Sequence, residues 1–216
     1  MKLYLDSADV ADWSAFMPFG LFKGITTNPL LADRAGLDYA QIDWSALFAL
    51  AHRLGAQELH AQVYGDPEGY AAWAEKLYAA GNNNGVTAVV KVPLVEPALR
   101  QFANIKALGG KTLLTACYDA KQALIANALD ADYLAPYLGR MADQGMDVFA
   151  HLDQMNTITK MGSCQVLAAS IRSACDLVKI ATSGTPAATF GAKVAQELVF
   201  DQSSIKAWKD FEATIK

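Results

Sequence analysis

Short apolar runs rich in β-branched residues alternate with longer amphipathic stretches along the whole chain. The runs KLYLD (2–6), KGITT (23–27), ELHAQV (58–63), AVVKVP (88–93), KTLLTA (111–116), YLAPYL (133–138), QVLAAS (165–170) and LVKIAT (177–182) predict eight strands. Several are apolar throughout instead of alternating, as strands covered on both faces are. Between them, Ile42, Leu47, Leu50 and Leu54 share one face and predict a helix from about Tyr39 to Leu54. PEGYAAWAEKLYAAG (67–81) opens on a helix-favouring proline and closes on a glycine, and PALRQFANIKALGG (97–110) and DAKQALIANAL (119–129) read similarly. A terminal helix over about 203–214 carries Ile205, Trp208 and Phe211 on one face. No Ser/Pro-rich linker, low-complexity tract or compositional break divides residues 1–216. An α/β single domain follows, with a closed eight-stranded parallel βα barrel as the first reading and a doubly wound open sheet as the alternative.

Composition narrows the class. A chain of 216 residues with 53% hydrophobic content buries a substantial core. Its net charge of -4 is scattered, which argues against a nucleic-acid partner or an anionic membrane surface. No apolar stretch reaches the roughly 18 residues of a membrane span. An acid at position 6 interrupts what a signal peptide would keep apolar, so a cytoplasmic location is expected. Cys117, Cys164 and Cys175 are odd in number and unclustered, which suits reduced packing residues. His52, His60 and His151 have no partner at i+4, so no metal site is expected.

Chemistry gathers at the strand ends. Asp6, Thr26 to Asn28, Gln62, Lys91, Thr115, Tyr137 and Ser170 each close a predicted strand. In a barrel these ends open at one mouth and their side chains converge there. Each alone has a plainer reading: Asp6-Ser7 as a helix cap, Thr27-Asn28-Pro29 as a turn, Gln62 and Thr115 as satisfied core polars. The coincidence of seven such positions favours a site. Lys91 sits inside AVVKVPL, where a charged amine costs several kcal/mol unless it is paired or neutral. A strand-end lysine reaching water is one answer. A desolvated, partly neutral nucleophile is the other. Such an amine condenses with a ketone to give a protonated imine, with Asp6 as proton relay and a water held by Gln62, Thr115 and Tyr137 serving a sugar hydroxyl. Arg140 is spaced either to grip a phosphate or to stand as a solvated arginine at a helix start.

At LYLDSADV, GITTNPLL (24–31), VVKVPL (89–94), APYLGR (135–140) and VLAAS (166–170) the sequence resembles the transaldolase family, in particular its small, fructose-6-phosphate aldolase-like subgroup. The resemblance implies a βα (TIM) barrel with class I Schiff-base chemistry on sugar phosphates, without metal or cofactor. It implies that Lys91 forms the imine, Asp6 serves as acid/base, Thr115 helps hold the catalytic water, and Thr26, Thr27 and Asn28 line the substrate, Asn28 bonding its hydroxyls. By the same resemblance Arg140 and Ser170 hold the phosphate. Gln62 and Tyr137 look like the aldolase subgroup, where transaldolases proper usually carry glutamate and phenylalanine. A homo-oligomer using the terminal helix is also implied. The family's serine after TTNP is Leu30 here, and the segment from Ser170 to the eighth strand looks short, so the seventh helix is expected to be abbreviated. In place of a familiar strand end stands IATSGTP, whose Ser183-Gly184-Thr185 turn is either an anion nest or a plain helix entry. A non-catalytic sugar-phosphate binder on the same barrel is the competing class. A pyridoxal-phosphate enzyme and a nucleotide-binding module both lack their motifs here.

Overall fold

The computed structural model describes residues 1–215 and contains a closed, all-parallel barrel whose eight strands pair in sequence order. These are β1 (Lys2–Asp6), β2 (Phe22–Thr26), β3 (Glu58–Gln62), β4 (Thr87–Pro93), β5 (Lys111–Cys117), β6 (Tyr133–Pro136), β7 (Gln165–Ala168) and β8 (Ala187–Phe190). Strand β8 pairs with β1 to close the ring.

The unbroken apolar runs are explained by two cores. Leu5, Ile25, Leu59, Val90, Val92, Leu114, Leu134 and Val166 point outward into the large core beneath the helices. Their alternates Tyr4, Val89, Leu113, Tyr133, Ala135 and Leu167 fill the barrel's interior. With both faces buried, period-2 patterning is lost from sequence.

The eighth strand falls elsewhere than LVKIAT. That run lies in the helix Ala174–Thr182, which buries Leu177 and Ile180 and leaves Val178 exposed. Spacing by three, with the Ser173 hydroxyl accepting the Asp176 N–H at 3.1 Å as an N-cap, overrides β-branched composition. The seventh helix is therefore of ordinary length. The true β8 is the small-residue run AATF, entered through Pro186. Ser183-Gly184-Thr185 thus leads into the N-terminal end of β8, opposite the mouth, and takes no part in the site.

Helix boundaries shift for local reasons. Asp43 accepts the Ala46 N–H and starts the helix Trp44–Arg53, separating it from a 3-10 turn at Tyr39–Gln41. The stretch 97–110 is broken into Glu96–Leu99 and Phe102–Lys106. The helix Tyr70–Asn84 runs through Gly81 and stops at Gly85 in the left-handed region (φ 69°). Gly81 serves packing: a Cβ there would lie 2.7 Å from the Val86 carbonyl oxygen and 2.9 Å from the Ala88 Cβ. The terminal helix covers Gln202–Glu212.

Below the mouth, the barrel's N-terminal end is plugged by one buried carboxylate. Glu58 accepts from Tyr4 Oη (2.9 Å), from Tyr133 Oη (3.0 Å), and from Lys111 Nζ (2.9 Å), and it pairs with Lys23 Nζ (3.0 Å). His60 Nε2 lies 3.0 Å from the same carboxylate. Burial pushes His60 below its ordinary pKa, against the pull of Glu58, so a neutral ring donates through Nε2 and leaves Nδ1 unpartnered. Burial alone would raise the Glu58 carboxyl. The hydrogen bonds donated by His60, Lys111 and Lys23 outweigh that and hold it below 4.5. A depressed carboxylate stabilises the fold fully above its unfolded pKa, and this stability is lost as pH falls below about 4.5 toward the folded value. Glu58→Gln is expected to cost about 3 kcal/mol at neutral pH and to flatten the acid limb of stability below pH 4.5, read by chemical denaturation across pH. An acid limb as steep as the parent's would show that Glu58 does not supply it.

Candidate active site

Lys91 stands in β4 beside Gln62 of β3, in register, with its side chain inside the barrel. It is 5% exposed, and its ammonium donates to the Thr27 carbonyl at 2.9 Å. Among the described residues this is its one polar contact, and no carboxylate pairs with it. Burial pushes its pKa below 10.5, and Asp6 opposes the shift from a distance. Lys91 is thus a desolvated amine aimed at a cavity, and the snorkelling alternative does not hold.

The cavity, about 240 Å³, opens at the C-terminal ends of the strands and is lined by Asp6, Asn28, Lys91, Thr115, Tyr137, Arg140 and Ser170. Seven sequence-designated residues from six different strand ends therefore meet. Asp6 accepts from the Thr26 hydroxyl at 2.6 Å, and Thr26 in turn lies 2.7 Å from Thr189 Oγ1. Asp6 is thereby fixed without being neutralised by an ion pair. It is not a helix cap: Asp9 fills that position for Val10–Phe16. Asn28 does cap a helix, accepting the Leu31 N–H at 3.0 Å with Oδ1. Its Nδ2 is left to donate into the cavity it lines.

Thr115 Oγ1 and Tyr137 Oη are 2.8 Å apart. Burial raises the Tyr137 pKa, against the Thr115 hydrogen bond, so the phenol keeps its proton. The Arg140 guanidinium carbon sits 4.8 Å from the centre of the Tyr137 ring, and Nη1 donates to Tyr118 Oη at 3.4 Å. Two non-glycine residues at the mouth hold left-handed backbone, Ala116 (φ 57°) next to Thr115 and Ser170 itself (φ 59°). Such strain persists where surrounding structure overrides it, and it aims side chains. At Ser170 the override is visible: its carbonyl accepts the Gly139 N–H at 2.9 Å, and the Ala169 carbonyl accepts that of Leu138 at 2.9 Å.

Three designated residues are placed differently. Thr26 is buried behind Asp6 and reaches the cavity only through it. Thr27 contributes its carbonyl, while its hydroxyl is buried without a partner. Gln62 lines an adjoining recess of about 300 Å³ with Asn28, Thr115, Tyr137 and Arg140. Its backbone is clamped by Tyr39 Oη, which accepts the Gln62 N–H and donates to the Gln62 carbonyl, each at 2.8 Å. Residues not designated from sequence are Thr189, Gly191 and Arg34. Thr189 is the one polar position in AATF and escapes notice when β8 is sought at 177–182. No group of three or more His, Cys, Asp or Glu that could hold a metal is found among the described residues.

A parallel βα barrel with a convergent site at its C-terminal mouth defines a large class of enzymes. Within that class, the model of the Transaldolase/Fructose-6-phosphate aldolase family matches residues 3–216, and the chain belongs to that family. A probable transaldolase of Herpetosiphon aurantiacus is 32% identical over 204 residues, covering 92% of this chain and 87% of the relative. One from Phenylobacterium zucineum is 32% identical over 219 residues, covering 99% and 95%. A solved structure, mandelate oxidase with benzoyl-formic acid, superposes with a TM-score of 0.64 over 97% of this chain and 70% of that one. At 14% identity that likeness is one of fold alone. The protein is an enzyme of the transaldolase family, and no helix among its described residues is long and apolar enough to cross a membrane.

Gly139 tests the Ser170 end of this geometry. A Cβ there would stand 2.3 Å from the Ser170 carbonyl oxygen. Gly139→Ala is expected to lose about 1–3 kcal/mol of stability and to weaken inorganic phosphate binding, read by denaturation and calorimetry. Unchanged values of both would mean that the Ser170 segment yields freely.

Proposed function

We propose that the protein is a class I Schiff-base enzyme that cleaves ketose phosphates such as fructose 6-phosphate and transfers or releases their dihydroxyacetone unit. The observation that carries this reading is the buried Lys91 amine, unpaired by any carboxylate and lowered in pKa by burial, within a polar-lined cavity. The neutral amine attacks the ketose carbonyl carbon, and the resulting carbinolamine loses water to give a protonated imine. The bond between the third and fourth carbons then breaks, its electron pair passing to the imine carbon–nitrogen system as an enamine. The proton of the fourth-carbon hydroxyl leaves as the aldehyde forms.

Asp6, steadied by Thr26 and through it Thr189, relays protons for carbinolamine dehydration and imine hydrolysis. Thr115, Tyr137 and Gln62 serve the hydroxyl proton through a water, a role supported by the Thr115–Tyr137 contact and their common recess. Asn28 Nδ2 bonds the hydroxyls of the three-carbon unit, and Arg140 with Ser170 takes the phosphate. A protonated phenol next to the enamine favours its protonation and release, so free dihydroxyacetone is expected as a product beside transfer. The relatives' description as probable transaldolases supports transfer.

The terminal helix is proposed as a subunit contact. Trp208 is 58% and Phe211 69% exposed on it, an apolar face that the other described residues do not cover. Changing both to glutamate is expected to lower the solution mass measured by light scattering. An unchanged oligomer would remove the helix from the interface, and a monomeric parent would remove the interface altogether.

Borohydride reduction with fructose 6-phosphate or dihydroxyacetone, followed by intact-mass and peptide mapping, tests the chemistry. One reduced three-carbon adduct on Lys91 is expected, with turnover falling at least about 1,000-fold in Lys91→Ala. Ligand binding without any adduct would make the protein a non-catalytic binder. Dihydroxyacetone formed without an acceptor marks aldol cleavage. Turnover only with erythrose 4-phosphate marks strict transfer.

A further inference from the structure

Arg34 ends the helix Pro29–Arg34 after β2 and lines the same cavity as Lys91 and Arg140. Arg140 lies on the helix Leu138–Asp143 after β6. Strands β2 and β6 are diametrically placed in a closed ring of eight, so the two arginines border the cavity from opposite sides.

Their surroundings differ. Arg140 is stacked on Tyr137 and bonded to Tyr118. Arg172, two residues past Ser170, is taken up by the Asp143 carboxylate. Arg34 is exposed and, among the described residues, makes no hydrogen bond or ion pair. An arginine in a helix's last turn often bonds the free terminal carbonyls. Here the carbonyls of Leu31, Ala32 and Asp33 already accept the N–H groups of Ala35, Gly36 and Leu37.

Charge points the same way. Asp6 is the one carboxylate lining the cavity, and Arg34, Arg140 and Lys91 stand against it. The lining is therefore net positive even with Lys91 neutral, in a chain of net charge -4. Two guanidinium groups turned on one space repel unless an anion lies between them.

We propose that Arg34 is a specificity-determining residue that closes over the terminal phosphate of the substrate from the side opposite Arg140. The inference rests on the ketose-phosphate reading above. Its long, unheld side chain makes it the mobile half of a clamp whose fixed half is Arg140, and the clamp discriminates phosphorylated from unphosphorylated sugars. Loss of one charge-assisted contact to phosphate corresponds to about a ten- to hundredfold change.

Arg34→Gln and Arg34→Lys are to be compared with the parent using fructose 6-phosphate turnover, inhibition by inorganic phosphate, and borohydride trapping of unphosphorylated dihydroxyacetone. Arg34→Gln is expected to raise KM for fructose 6-phosphate at least about tenfold and to weaken phosphate inhibition in parallel. The yield of the dihydroxyacetone adduct on Lys91 should stay unchanged, and Arg34→Lys should recover part of the loss. An equal loss with and without phosphate, or no loss with either, overturns the proposal. Should the parent form no dihydroxyacetone adduct, the ketose reading fails by itself. Calorimetric binding of inorganic phosphate to parent and Arg34→Gln then decides the role of Arg34: weaker binding in the variant upholds it, and equal binding refutes it.

Discussion

A lysine amine cannot be withdrawn from water cheaply, and the site is organised around that constraint. In the barrel interior, Lys91 exchanges bulk hydration for a single carbonyl, that of Thr27. A tight carboxylate partner would have restored the charge and ended any nucleophilic use of the nitrogen. Asp6 is instead held by Thr26, which lies against Thr189, near enough to raise the Lys91 pKa somewhat and too far to fix it there. The balance between burial and this distant charge is what the proposed chemistry requires.

The two ends of the barrel solve opposite problems. At the N-terminal end Glu58 is surrounded by five donors and stays ionised, so charge there is saturated and serves stability. At the C-terminal mouth the donors outnumber the acceptors, leaving positive charge, a protonated phenol and an uncommitted amide facing open space. Two of the three non-glycine residues with left-handed backbone among the described residues, Ala116 and Ser170, sit at the mouth, and the Ser170 carbonyl is held there by the Gly139 N–H.

The sequence spoke most clearly where chemistry forced an exception to composition. Lys91 in a valine run, Asp6 after LYL and Tyr137 after LAP were legible because a polar residue breaks an apolar strand. The strand order was legible for seven of the eight strands. The eighth was not, because AATF carries little hydrophobic signal, while LVKIAT offers β-branched residues at a spacing that suits a helix equally. That error hid Thr189, the residue behind the Thr26–Asp6 bond, and made the seventh helix look short. Thr26 and Thr27 were found, but their placement was not: the Thr26 hydroxyl bonds Asp6 and Thr27 lends its carbonyl to Lys91. Arg34 was missed because an exposed arginine in a helix's last turn has an ordinary explanation, which fails only once its lack of partners is seen.

The most direct measurement of the central claim is the ionisation of Lys91 itself. The Cε carbon of Lys91 can be followed by NMR in protein labelled at the lysine ε-carbon, its resonance assigned by its loss in Lys91→Met. A titration midpoint below 10.5 in the ligand-free protein, falling further in Asp6→Asn, is the predicted result. A midpoint at or above 10.5, or one indifferent to Asp6, would contradict the account.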